Sequence, residues 1–149
     1  MTGDFASLVD ELRKQVQASR VTLRLEVEGT NFPVVAESRA PGIDSIRGDD
    51  SLDQRNLPTV RFLFRAKSLL VQDDCARAEV PVPEELMSRY AVKAQMLAPI
   101  LDADGEVRGW LSAHYCPGPR KWRKPDQAAI AQAAAAVCRA LGGCASAGG

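Results

Sequence analysis

The chain has 149 residues, 46% of them apolar, and this length and composition predict one domain with its own core. Nineteen basic and nineteen acidic side chains cancel, so we expect neither nucleic acid nor an anionic membrane as a partner. No apolar run approaches the roughly 18 residues of a membrane span, and the start is not that of a secretion signal, so we expect a cytoplasmic protein with reduced cysteines.

The N-terminal part predicts a helix, a hairpin and a long connection. The helix follows a capping Asp4 and runs to about residue 19, because apolar residues recur there at helical spacing: Phe5, Leu8, Val9, Leu12 and Val16. Residues 21–27 and 31–38 form the hairpin. The first strand alternates with period two and has one apolar face: Val21, Leu23, Leu25 and Val27. Residues 39–56 are polar and rich in turn formers, which predicts a long connection.

The middle of the chain predicts short elements. Residues 57–67 form a short helix with Pro58 in its first turn, and residues 68–73 form a strand. A loop over residues 74–83 leads into another short helix over residues 83–87.

The C-terminal part predicts a second hairpin and a final helix. A strand over residues 91–102 and a strand over residues 106–116 flank the turn 102–105, which reads Asp-Ala-Asp-Gly. Asp126 is predicted to cap an alanine-rich helix that ends at Gly142-Gly143.

The sequence from residue 90 onward resembles the C-terminal half of a GAF domain: YAVKAQMLAPILDADGEVRGWLSAHYCPGPRKWRKPDQAAIAQAAAAV. The resemblance implies an α+β fold with an antiparallel sheet of five or six strands. It implies that the N- and C-terminal helices cover one face, with a ligand pocket under loops and short helices on the other. We therefore expect one domain over residues 1–141 and a flexible tail over residues 142–149.

Three segments resemble phytochrome GAF domains in particular: NLPTVRFLF, VKAQM and GWLSAHY. His114 stands at the first histidine of the family's His-His pair, and Asn56 stands where the family has aspartate. The resemblance implies a pocket of the shape that holds a linear tetrapyrrole. The cysteine-histidine pair that fixes chromophore in one phytochrome branch is absent, so we do not expect covalent bilin attachment. The cofactor stays open, with a tetrapyrrole among the candidates.

Strand alternation divides the two C-terminal strands into an apolar and a mixed face. The apolar face is predicted to pack under the terminal helices: Val92, Ala94, Met96, Ala98, Ile100, Leu111, Ala113 and Tyr115. The mixed face brings together Gln95, Leu97, Ser112 and His114, which is the pattern of a small-molecule site. We assign these four, with Asn56 and Tyr90, to ligand binding. The alternative for His114 is a half-buried side chain bonded to a backbone carbonyl, and Trp110 is predicted to pack at a sheet edge or dimer contact.

No catalytic or metal-binding residue is assigned. The sequence shows no convincing Ser-His-Asp triad pattern, no C-x-x-C pair and no second histidine for a zinc site. One GAF enzyme, free methionine-R-sulfoxide reductase, uses thiols, and Cys75 or Cys116 would be its nucleophile here. Its second loop cysteine and its acidic motif on the last strand are missing, so this enzyme is the alternative reading. Cys138 is predicted to be core.

The preferred function is that of a non-catalytic sensory GAF domain that binds a small planar or aromatic molecule. Ligand would order the pocket loops and act on a homodimer formed through the terminal helices, with a downstream protein partner. A purely structural dimerisation module is a further alternative. The N-K-F-D-E signature of cyclic-nucleotide binding is absent.

Overall fold

The computed structural model describes residues 5–28 and 30–142. Within these ranges, five strands form one antiparallel sheet in the order β2-β1-β5-β4-β3, as the α+β prediction required. The elements are α1 (Phe5–Val16), β1 (Arg20–Leu25), β2 (Val34–Arg39), α2 (Pro58–Ala66), β3 (Leu70–Gln72), α3 (Glu84–Ser88), β4 (Ala94–Leu101), β5 (Val107–Tyr115) and α4 (Lys124–Ala140). The cap assigned to Asp4 and the tail beyond residue 142 lie outside the described residues.

Every predicted element within the described residues is present, and most are shorter than predicted. The strand predicted over residues 68–73 has only three paired residues, Leu70–Gln72. Val27 was placed on the buried face of the first strand, but β1 ends at Leu25 and Val27 is 48% exposed. Alternation predicts a face only for as long as a neighbouring strand holds the backbone extended.

The start of α4 corrects the predicted cap. The helix begins at Lys124, two residues before Asp126. The Asp126 carboxylate accepts a hydrogen bond of 3.0 Å from the backbone N–H of Arg123, which precedes the helix. Asp126 therefore stabilises the helix N-terminus from inside its first turn, where a carboxylate can pair with free backbone donors.

The terminal helices cover one face of the sheet and form the main core with it. Helix α1 contacts α4 and β2, and α4 contacts β4. The sheet presents the predicted apolar rows to these helices: Val21, Leu23, Ala94, Met96, Ala98, Ile100, Leu111 and Ala113. Val92 is the exception, because it precedes β4 and packs with Ile46, Cys75 and Tyr90 on the other side.

Strand β5 lies at the centre of the sheet, between β1 and β4. The prediction that Trp110 packs at a sheet edge is therefore wrong. It is 2% exposed and packs against Phe32, with ring centroids 4.9 Å apart. Phe64 is partly buried and packs at the border of the same cluster.

The second face of the sheet lies under the connection between β2 and α2, which we call the lid (residues 40–57), together with α2 and the segment 83–90. Two smaller apolar clusters hold these segments to the sheet. In the described part of the chain, we find no helix with the length and apolar character that crossing a bilayer requires.

Candidate functional site

A row of polar side chains crosses four strands on the lid side of the sheet. The strand register places Arg20 beside His114, His114 beside Gln95, and Gln95 beside Gln72. All four residues are at most 5% exposed. Polar groups buried to this extent need partners, so their hydrogen bonds determine what each can offer to a ligand.

The His114 ring accepts a hydrogen bond from Arg20. Arg20 Nη1 lies 3.0 Å from His114 Nδ1, and a guanidinium group can only donate. The ring proton therefore sits on Nε2, which makes no hydrogen bond with any described residue. Burial, reinforced by the charges of Arg20 and Arg24, holds the pKa of His114 well below its ordinary value. His114 is a neutral N–H donor facing the cavity.

Arg20 is buried without a carboxylate partner. Its Nε and Nη2 donate to the carbonyl oxygen of Asp44 at 3.1 and 2.7 Å, and its guanidinium lies 5.5 Å from the centre of the Tyr90 ring. Burial lowers the pKa of Arg20, while nearby negative charges oppose that shift. The backbone of the lid therefore provides the hydrogen bonds that hold this cation in place.

The two glutamines form a relay to the loop after β3. Gln95 Nε2 donates to Gln72 Oε1 at 2.7 Å, and Gln72 Nε2 donates to the carbonyl oxygen of Val80 at 2.8 Å. These bonds orient the Gln95 amide, so its carbonyl oxygen remains available as an acceptor at the cavity wall.

A second row, one step along the strands, contains Thr22, Ser112 and Leu97. Thr22 is 1% exposed, and its hydroxyl is the only side-chain oxygen or nitrogen in the described residues that is both fully shielded from solvent and without a hydrogen-bond partner. Arg24 is two residues further on β1 and faces the same side. Its Nη1 donates to the carbonyl oxygen of Phe32 at 2.8 Å, and burial lowers its pKa, opposed by the charge of Asp49.

These rows form the floor of a cavity roofed by the lid. Its free volume is about 50 Å³, enough for a few water molecules, whereas pockets for drug-sized ligands measure roughly 300 Å³ or more. The residues around it come from six segments, namely β1, the lid, α2, the segment 83–90, β4 and β5: Thr22, Arg24, Ile46, Asp49, Leu52, Gln54, Leu57, Thr59, Val60, Pro83, Leu86, Tyr90, Gln95, Leu97, Trp110, Ser112 and His114. In this conformation the cavity accepts only a small group.

The lid is held by polar contacts at several points. Glu37 accepts hydrogen bonds from the Ser45 hydroxyl and the backbone N–H of Ile46. Asn31 Nδ2 donates to the carbonyl oxygen of Leu52. Tyr90 donates its phenolic hydrogen to Asp49. That hydrogen bond, with others from Ser51, lowers the pKa of Asp49 to about 2.

Replacing Tyr90 with Phe should loosen the lid without emptying the core. The ring stays, but Asp49 loses its strongest partner, and a hydrogen bond to a charged group contributes about 1.5–3 kcal/mol. We expect a loss of about 1 kcal/mol or more in the free energy of unfolding and faster hydrogen exchange over residues 45–52. Tyr115→Phe is the control, because the Tyr115 hydroxyl bonds to no described residue. Unchanged exchange in Tyr90→Phe would show that this bond does not hold the lid.

Five of the six residues assigned from the sequence lie around the cavity: Tyr90, Gln95, Leu97, Ser112 and His114. Asn56 does not. Its side chain is exposed and donates to Asp53, while its neighbours Gln54 and Leu57 face the cavity. The alternative for His114, a bond to a backbone carbonyl, does not occur, because the ring is hydrogen-bonded to Arg20 instead.

Sequence reasoning missed Arg20, Thr22, Arg24 and Gln72. The signal for the first three was present. The alternation that buries Val21 and Leu23 under the helices places their even-numbered neighbours on the opposite face of the sheet. Gln72 had no such signal, because a strand of three residues is too short to show a period.

The cysteines offer little thiol chemistry in the described residues. Cys75 is 3% exposed, and burial together with the charge of Asp74 raises its pKa to about 12. A thiol with that pKa is not a nucleophile at neutral pH. Cys116 is half-buried and contacts the carbonyl oxygen of Tyr90, and Cys138 is core as predicted. No group of three or more His, Cys, Asp or Glu side chains in the described residues has a metal-binding arrangement.

Comparison with known proteins gives one family and a consistent set of structures. The family model of the GAF domain matches residues 5–141. The blue-light absorbing form of the Thermosynechococcus elongatus PixJ GAF domain is 22% identical, with a TM-score of 0.74, covering 92% of this chain and 82% of that chain. The cyanobacteriochrome TePixJ GAF domain is 24% identical, with a TM-score of 0.76, covering 93% of this chain and 86% of that chain.

A bacteriophytochrome is also similar. The chromophore-binding domain from Stigmatella aurantiaca is 18% identical, with a TM-score of 0.74, covering 92% of this chain and 52% of that chain. No curated protein matches the chain by sequence. At these identities, the solved structures establish the shared fold.

Proposed function

The chain belongs to the GAF domain family, and from this premise we propose that it is a sensory domain that binds a small molecule without transforming it. The ligand occupies the cavity between the sheet and the lid. Gln95, Ser112 and His114 contact it from the floor, and Tyr90 and Leu97 contribute to the walls. The domain works in the cytoplasm, where its cysteines remain thiols.

One observation carries the proposal. Polar groups with unused hydrogen-bonding capacity converge beneath the lid: the Thr22 hydroxyl has no partner, and His114 Nε2–H bonds to no described residue. Burying such groups costs free energy unless something pairs with them. A core built only for stability would have apolar side chains at these positions, so the arrangement favours a bound polar molecule.

Signalling proceeds by a shift between lid conformations. A ligand that contacts the lid and the sheet favours the closed state by the difference between its affinities for the two states. The sheet separates the cavity from α1 and α4, so a change in strand spacing reaches both terminal helices. These helices pair with those of a second copy, and a downstream protein partner receives the change.

The ligand determines whether the domain is coloured. Two of the similar structures are described as blue-light absorbing and chromophore-binding, and a non-covalent tetrapyrrole is one candidate for this chain. A tetrapyrrole is far larger than the present cavity of about 50 Å³, so it would require the lid to move outward. A small colourless metabolite requires no such opening, and we favour it.

The absorbance spectrum and native mass of freshly purified protein test this function directly. We expect added mass on the folded protein, with or without a visible band, and a band that shifts in His114→Ala identifies a pigment. If both measurements show an empty protein, a melting-temperature screen of aromatic acids, oxo-acids and nucleotides follows. Failure of every compound to raise the melting temperature would contradict the sensory function.

A structural dimerisation module is the second candidate, and the small volume of the cavity favours it. This module would show no added mass and no response to ligands, while remaining dimeric by light scattering. The thiol enzyme has no comparable support, because the cysteine in the central loop is buried and protonated. Retention of any turnover after replacement of Cys75 and Cys116 by Ser would exclude it.

A further inference from the structure

We propose that the cavity is a binding site for a small carboxylate, held by Arg24, Thr22 and His114. The inference rests on the proposed function, since it names the chemical class of the ligand at the same site. It adds two residues of β1, Thr22 and Arg24, to the ligand contacts named in the proposed function.

Arg24 supplies a half-buried cation with no carboxylate in direct contact, although the charge of Asp49 acts on it from a distance. No carboxylate of the described residues lies within 4 Å of its guanidinium, and its one hydrogen bond goes to the carbonyl oxygen of Phe32. Asp49 also borders the cavity, but it is engaged by Tyr90 and, at 3.3 Å, by Arg89. The remaining N–H groups of Arg24 have the planar arrangement that suits a carboxylate.

Thr22 and His114 supply the neutral donors. Thr22 lies two residues from Arg24 on the same face of β1, a separation of about 6–7 Å. His114 is diagonal to Thr22 across the β1–β5 pair, within reach of a ligand of a few atoms. The Thr22 hydroxyl lacks an acceptor and His114 presents Nε2–H, so two neutral donors border the same cavity as the Arg24 cation. A small anion with more than one acceptor atom can accept hydrogen bonds from them.

The opposite side of the cavity is apolar. Val60 and Leu97 form this part of the wall, while Trp110 lies beside Arg24 in the β1–β5 pair, so the ligand should carry a charged group and a short apolar part. The volume of about 50 Å³ limits that part to a few atoms while the lid is closed. A phosphate ester with a sugar or base does not fit these limits.

The test compares acids with their uncharged amides. The purified protein is titrated by calorimetry with acetate, pyruvate and benzoate, and in parallel with acetamide, pyruvamide and benzamide, at constant ionic strength and pH 7.5. We expect at least one acid to bind about tenfold or more tightly than its amide, because hydrogen bonds to a charged group are the stronger ones. Inorganic phosphate is the competing anion.

Variants assign the contact. Arg24→Gln should reduce affinity for that acid about tenfold or more, whereas Arg61→Gln, an exposed arginine on α2, should not change it. Thr22→Val provides a second test if Arg24→Gln folds poorly: it should weaken the acid while leaving the melting temperature of the free protein unchanged or higher, because it removes an unpaired hydroxyl. If Thr22 had only a structural role, Thr22→Val would not weaken acid binding while keeping or raising the melting temperature.

The outcomes separate the two proposals. Amides that bind as tightly as acids, or acids that bind Arg24→Gln and Thr22→Val unchanged, overturn the carboxylate site but leave a small-molecule sensor. Binding of phosphate without any acid does the same. If no probe binds and the purified protein also carries no added mass, the carboxylate site and the sensory function both fail.

Discussion

Gly109→Ala should abolish or severely destabilise the fold. A Cβ added at Gly109 would lie 2.0 Å from the carbonyl oxygen of Arg24 and 2.9 Å from Leu25 Cδ2. The clash is with backbone, and Leu25 and Gly109 are direct neighbours in the β1–β5 pair, so β1 would have to move away from the central strand. We expect a loss of roughly 3 kcal/mol or more in the free energy of unfolding, measured by urea denaturation followed by circular dichroism.

Gly118→Ala is the matched control, because a Cβ there meets no atom within 4 Å and the backbone needs no left-handed conformation. It should change stability by about 0.5 kcal/mol or less. A stable, cooperatively folding Gly109→Ala protein would contradict the close approach of β1 and β5 at Gly109. The same displacement would disturb the cavity, since β1 carries Thr22 and Arg24.

Acidification should destabilise the protein at a pH where no carboxylate yet titrates. The pKa of His114 in the folded protein is well below its unfolded value of 6.5. Below pH 6.5 the unfolded chain therefore takes up a proton that the folded chain refuses, and the free energy of unfolding falls by up to about 1.4 kcal/mol per pH unit. The loss continues until pH reaches the folded pKa. The chain has one histidine, so denaturation series from pH 7.5 to 5 isolate this effect.

His114→Asn is the control for the pH series. An asparagine amide can still accept from Arg20, but it does not titrate, so the slope between pH 6.5 and 5 should disappear. Carboxylates with lowered pKa values, such as Asp49 at about 2, reduce stability only at more acidic pH, below their unfolded value of 3.8. An equal slope in the wild-type and His114→Asn proteins would show that His114 is protonated in the folded state.

Much of the fold could be predicted because periodicity reports which face of an element is buried. The repeats in residues 5–16 and 107–115 gave the right element types and, for β4 and β5, the right division of faces. Two of the predictions that failed lie at element ends, where periodicity is lost. Val27 is outside its strand, and Asp126 is inside its helix rather than before it.

The candidate site could be predicted only on the two strands joined by a tight turn. A two-stranded hairpin brings Gln95 and His114 together through local sequence, and the structure places them as direct neighbours. Arg20 and Thr22 come from β1, which ends more than 80 residues before β5 begins, and no local pattern predicts that β1 lies against β5. Asn56 shows the opposite case. Its sequence neighbours Gln54 and Leu57 line the cavity, but its own side chain points to solvent.

Residue types at regular spacing determine the order of helices and strands and their apolar faces, and they also predict the mixed face of the two C-terminal strands. The reason is that side-chain direction repeats every two residues in a strand and every 3.6 in a helix. Tertiary structure settled the rest: that β5 is central, that the lid covers the cavity, and that Arg20 fixes the tautomer of His114. These features depend on contacts between segments that are distant in sequence. The packing and register of the whole sheet determine those contacts, and the residue pattern of one segment does not contain that information.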